Sequence, residues 1–118
     1  MNYLVVFIGG GLGSLARFGI WKWLGPDSTN FPLATFLANA LSCLILGFFM
    51  GLQLKGSLDD QGKLFILVGF CGGFSTFSAF SNETLRLLQY GNYFTAFGYI
   101  LFSLITCIVF ILLGMKLS

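Results

Sequence analysis

Inside stretches that are otherwise apolar, this sequence carries a small set of polar residues at helical spacing. The densest run is Gly69-Phe70-Cys71-Gly72-Gly73-Phe74-Ser75-Thr76-Phe77-Ser78-Ala79-Phe80-Ser81-Asn82-Glu83. Two adjacent glycines beside a Ser/Thr cluster are poor material for an unbroken helix. The run therefore predicts an interruption that frees backbone carbonyls, and carbonyl oxygens suit a small hard cation. Beyond it Phe77 and Phe80 stand at i, i+3, with Ser78 and Ser81 at the same spacing beside them. A ring edge carries the positive part of the aromatic quadrupole. Edges and hydroxyls on one helix therefore make an array that attracts an anion, although a Phe stripe by itself also serves plain packing.

Two further polar stripes accompany this run. Thr35, Asn39 and Ser42 fall at i, i+4 and i+7, one helix face. The Asn39 amide offers two donors, which either bond a partner helix or hold an anion. Tyr99, Ser103, Thr106 and Cys107 fall at i, i+4, i+7 and i+8. One serine in lipid hides its hydroxyl by bonding back to its own helix. A stripe headed by a tyrosine points instead to another protein surface or to a track of water. Nearer the N-terminus, Gly9 and Gly13 make one small-xxx-small pair and Gly10 with Ser14 another, spacing that lets helix backbones approach closely. Arg17 follows them. It keeps its charge, so it must snorkel, find a partner or face an aqueous cavity. Glu83 is the one carboxylate near an apolar core, with Arg86 three residues on, within reach on the same face.

The elements that carry these groups are dictated by composition. Of 118 residues, 57% are hydrophobic and 8% charged, against about 25% charged in an ordinary soluble domain. Phe alone accounts for 15 residues, and the mean hydropathy is +0.91. These values exclude a water-soluble fold and a disordered one, leaving an all-α integral membrane protein. At about 20 residues per span, four spans fit the length, whereas five leave almost no loops. We place them at roughly 2–24, 31–54, 63–90 and 93–117, in a single four-span domain over 1–118. Gly25 to Asn30 reads as a polar turn, Lys55 to Gly62 as the most polar stretch, and Gly91-Asn92 as a short turn. The N-terminal apolar run precedes its positive charges, the reverse of a signal peptide, and is read as the first span.

The composition also excludes chemistry. There is no His, which removes Ser-His and Cys-His nucleophilic sites and imidazole metal ligation. A net charge of +2, scattered along the chain, offers no clustered basic face for nucleic acid. Cys43, Cys71 and Cys107 lie far apart in apolar stretches and define no disulfide framework. Four spans put both termini on one side, with Lys55, Lys63 and Lys116; the other side takes Arg17, Lys22 and Arg86. The positive-inside rule needs an imbalance to choose an orientation, so this tie predicts insertion both ways up.

On these residues the sequence resembles the Fluc-type fluoride channels, the CrcB family, over essentially its whole length. Gly9-Gly10-Gly11-Leu12-Gly13-Ser14-Leu15-Ala16-Arg17-Phe18 looks like that family's GGxxGAxxRY opening, Thr35 to Asn39 like its T-x-x-x-N segment, and Gly72 to Ser81 like its GGxTTFSTFS core. The last, inside a hydrophobic span of so small a chain, is the specific one. The resemblance implies an antiparallel, dual-topology homodimer in the inner or plasma membrane, with two fluoride pores and a structural sodium ion at its centre. By the same resemblance Asn39, Phe77, Phe80, Tyr99, Ser103 and Cys107 line the pore with Thr35, Arg17 lies by a wide vestibule, and the backbone carbonyls of Gly72 and Ser75 hold the sodium. Glu83 matches a family acidic residue. The chain departs from the family pattern at Ser14, Phe18, Ser75 and Ala79, and carries Cys107 where Ser is usual. A paralogue heterodimer is the alternative assembly; the intact motifs and balanced charges favour the homodimer. A passive channel that exports fluoride and lowers its cytoplasmic level is the expectation, and no enzyme. Two rivals are a small multidrug-type cation exporter, which needs a carboxylate in the first span where this chain has none, and a non-transporting scaffold, which needs only the glycine faces.

Overall fold

The computed structural model describes residues 1–24 and 31–118. The predicted turn from Gly25 to Asn30 lies outside the described residues. The described chain is helical, in the order α1 (Asn2–Leu24), α2 (Leu33–Leu54), α3 (Asp60–Lys63), a π-helical segment (Leu64–Phe70), α4 (Cys71–Phe74), α5 (Phe77–Gln89) and α6 (Tyr93–Leu117), with no strand among the described residues. Four stretches are long and apolar enough to cross a membrane: α1, α2, Asp60–Gln89 and α6.

Two boundaries differ from the sequence reading. The second helix begins at Leu33, not Phe31, because Pro32 sits just ahead of it and lacks the N–H that a helix interior needs. The third begins at Asp60, inside the stretch read as a polar loop. There Asp59 is the N-cap, its Oδ1 accepting from the Gly62 N–H at 2.8 Å. Two glycines with positive φ, Gly56 (75°) and Gly91 (80°), turn the chain after α2 and after α5.

Glycine sets the two closest helix contacts. Gly9 and Gly13 of α1 face Gly69 and Gly73 across the third stretch. A Cβ on Gly9 would overlap the Phe65 carbonyl, one on Gly13 the Phe70 carbonyl, and one on Gly73 the Gly10 carbonyl. Two small-xxx-small faces thus meet backbone to backbone. In the second contact, Gly47 lies on the backbone of Ile111, Gly51 on Met115 and Ser118, and Gly114 on Leu44 and Phe48. Residue numbers rise together on both helices, so α2 and α6 are parallel, as are α1 and the third stretch. Most large apolar side chains point away from the bundle: Phe7 is 76% exposed, Phe94 94%. The well-packed interior is small, built on Tyr99 and Ala96, both 0% exposed, with Leu87 and the rings of Phe31, Phe36 and Phe80 against them. An apolar exterior around a small polar-lined interior is the arrangement lipid demands.

Candidate functional site: a polar groove between α2, α5 and α6

The site is organised by the register of α2 against α6. Gly47 opposes Ile111 and Gly51 opposes Met115, an offset of 64 residues. Carried back one helical turn at a time, the same offset pairs Cys43 with Cys107, Asn39 with Ser103 and Thr35 with Tyr99. Cys43, Cys107, Asn39 and Ser103 line one cavity, and Thr35 and Tyr99 both donate to the Glu83 carboxylate. The two i+4 stripes of the sequence are therefore two sides of a single ladder.

The α2 stripe also engages the third stretch, at three levels. Thr35 Oγ1 donates to Glu83 Oε2 at 2.9 Å. Asn39 clasps the backbone of Thr76 from both sides: its Nδ2 donates to the carbonyl at 3.3 Å and its Oδ1 accepts from the N–H at 2.8 Å. Ser42 Oγ donates to the Cys71 carbonyl at 3.2 Å. The middle level explains the local backbone. Between α4 and α5, Ser75 (φ −84°, ψ 157°) and Thr76 (φ −151°, ψ 121°) are extended. The Ser75 N–H still closes on the Cys71 carbonyl at 3.0 Å, but Thr76 has no helical partner for its N–H, and burying a backbone group unpaired costs about 1–3 kcal/mol. The Asn39 amide supplies the donor and the acceptor together. Thr76 Oγ1 then caps α5 by accepting from the Ala79 N–H at 3.3 Å.

Two cavities flank this clasp. The first, about 220 Å³, brings together Asn39, Ser75, Phe77, Phe80, Ser103 and Cys107, with Cys43 and Thr76 also on its wall. Phe77 is 79% exposed, and its ring lies 5.9 Å from that of Phe80. Phe80 in turn leans on Tyr99 at 5.0 Å between centroids. Ser103 is 5% exposed, and its hydroxyl is the one buried side-chain polar atom without a hydrogen-bond partner among the described residues. Thr106, the third member of the α6 stripe, does not line this cavity.

The second cavity, about 350 Å³, is lined by Arg17, Trp21, Thr35, Thr76, Ala79 and Glu83. Arg17 here has both a partner and a cavity, since its Nε donates to the Gly73 carbonyl at 3.1 Å. Thr35 thus sits with Arg17 rather than beside the phenylalanines. Tyr99, expected to line the pore, is fully buried and on the wall of neither cavity; its hydroxyl donates to Glu83 Oε1 at 3.1 Å. Glu83 is therefore held by two hydroxyls from the ladder, a role its spacing from Arg86 did not reveal. Gly72 lies on the exposed surface of the chain, and a Cβ there would meet nothing within 4 Å.

Four apolar helices long enough to cross a membrane, around a groove lined by an amide, hydroxyls, thiols and two rings, define a polytopic membrane protein with a polar interior path. Comparison with known proteins agrees. The family model described as CrcB-like protein, Camphor Resistance (CrcB), matches residues 4–115. A protein of Azobacteroides pseudotrichonymphae named Fluoride-specific ion channel FluC is 45% identical, over 97% of this chain and 93% of its own length. Proteins of the same name are similar in Phocaeicola vulgatus, 40% identical over 99% and 98%, and in Thermus thermophilus, 42% identical over 99% and 93%. The chain belongs to the CrcB family and is a multi-pass membrane protein.

Proposed function

We propose that this protein is a passive, fluoride-selective channel of the plasma membrane that lets fluoride leave the cell. The observation that carries the reading is the Ser103 hydroxyl, buried and without a partner in a groove shared with Asn39 and two phenylalanine rings. An unmet buried hydroxyl is costly, and a fluoride ion in the groove accepts a hydrogen bond from it. The Asn39 amide spends one N–H on Thr76; its second is available to the ion. The edges of Phe77 and Phe80 add weak positive faces where no full charge would trap it. Conduction needs such graded, replaceable contacts in place of the hydration shell. Narrowness between the rings rejects the larger chloride.

In this reading the bent backbone at Ser75 and Thr76 lies at mid-membrane, where irregular backbone is tolerated only if buried or lining a cavity. Phe77 is too exposed to enclose a path by itself; a second copy, inserted upside down, closes each groove by an isologous two-fold contact. That contact yields two equivalent pores, with Arg17 and its cavity as the wide entrance of each. It also joins two copies of the exposed Gly72 segment. The carbonyls of Gly72 and Ser75 are hard oxygen donors and fit a sodium ion; bound there, it would tie the two subunits together. Transport is downhill. Fluoride that enters an acidic medium's cells as the neutral acid dissociates inside, and the channel provides its exit.

The reading is tested in a fluoride-sensitive bacterium lacking its own exporter, grown with fluoride in acidic medium. The wild-type chain restores growth, whereas Phe80→Ile, which removes one ring edge and the contact with Tyr99, does not at equal expression. Equal growth of the two, or no rescue by wild type, contradicts it.

A further inference from the structure

One level of the α2–α6 ladder is unlike the others. Above it, Asn39 and Ser103 offer oxygen and nitrogen donors; beyond it, Gly47 seals the two backbones together. Between them Cys43 and Cys107 both line the groove at facing positions of the register, one thiol from each helix. Both are half-buried and neither is in a disulfide. The glycine contact one turn away holds the two helices close at this level. The wall around them, with Ser75, Phe77, Phe80 and Leu104, contains no carboxylate. Hard cations therefore find no charged oxygen ligand at this level. Soft ions are a different matter: thiolates select closed-shell ions such as copper(I), which accept two sulfur ligands.

We propose that Cys43 and Cys107 form a two-coordinate site for a soft, closed-shell monovalent cation, silver(I) or copper(I), and that its occupation closes the groove. Two S–H bonds break, two metal–sulfur bonds form, and two protons leave with no change of oxidation state. The bound ion fills the space directly below Ser103, on the route proposed for the anion. The blocking half of the inference rests on the channel reading; the metal-binding half does not.

Silver(I) in chloride-free buffer is the probe. Native mass spectrometry of the detergent-solubilised protein shows one silver ion per chain, lost in both Cys43→Ser and Cys107→Ser and kept in Cys71→Ser. In liposomes, silver inhibits fluoride efflux, and each of the first two variants, measured against its own silver-free rate, needs about tenfold more silver or more. Alkylation mapping of the wild-type chain removes any dependence on variant folding: silver shields Cys43 and Cys107 together. Silver retained by both variants, or shielding of only one of the two thiols, overturns the site. Binding as described without inhibition of a measurable fluoride flux overturns the block. Absence of flux with binding intact contradicts the channel reading and leaves the metal site standing.

Discussion

The two halves of the α2–α6 seam follow one register and do opposite things. From Gly47 onward glycines face the α6 backbone and, at Gly51, the Ser118 side chain, and the helices close until no further side chain fits there. From Cys43 back to Thr35 the facing positions carry thiols, an amide and hydroxyls, and the seam opens into the groove. The helices are continuous across both halves. What differs is the size and polarity of every fourth residue, together with the third stretch. Its extended residues at Ser75 and Thr76 enter only at the polar half and are held there by Asn39. A tight dry half supplies the rigidity that a polar half, with its unmet Ser103 hydroxyl, cannot supply for itself.

The largest effect is expected from opening the closed half. Gly47→Leu forces a side chain into the Ile111 backbone and costs about 3 kcal/mol or more; gel filtration should show loss of the monodisperse species. Next comes Asn39→Asp, which keeps an acceptor for the Thr76 N–H but removes both amide donors and sets a negative charge in the groove. Fluoride efflux should fall by about tenfold or more, while the protein remains folded by circular dichroism. Ser103→Ala sharpens the contrast because its two effects have opposite sign. Removing an unpartnered buried hydroxyl should raise the thermal midpoint, by about 1 kcal/mol of stability, while fluoride flux drops a few-fold. A variant that is both less stable and fully active would contradict the role given to that hydroxyl. The smallest change is Gly19→Ala on the open face of α1, where a Cβ meets nothing. It should add about 0.5–1 kcal/mol by thermal unfolding and leave flux unaltered.

Which parts were legible in the sequence follows from the range of the physics involved. Span positions rest on local hydropathy, and α1 and α6 begin and end where the apolar pattern does. The early start of the third stretch was locally encoded too, in Asp59 ahead of Gly62, but a cap is easily read as loop in a run of polar residues. The polar stripes were visible as periodicity within each helix. Their alignment was not, because an offset of 64 residues between α2 and α6 is fixed by glycine contacts at Gly47, Gly51 and Gly114 that no single-helix pattern reveals. The same holds for Asn39, whose spacing left helix bonding and anion holding open. Its clasp on Thr76 shows the first, with a donor left over for the second. Glu83 was legible only as a neighbour of Arg86, whereas its bonds to Thr35 and Tyr99 come from helices 48 and 16 residues away in the chain.

A groove that conducts fluoride should exclude the larger chloride. Liposomes loaded with equal concentrations of fluoride and chloride, with a potassium ionophore to carry the balancing charge and an electrode for each halide outside, test it most directly. Rapid release of fluoride with chloride retained inside is the predicted record. Release of both at similar rates, or of neither, would contradict it.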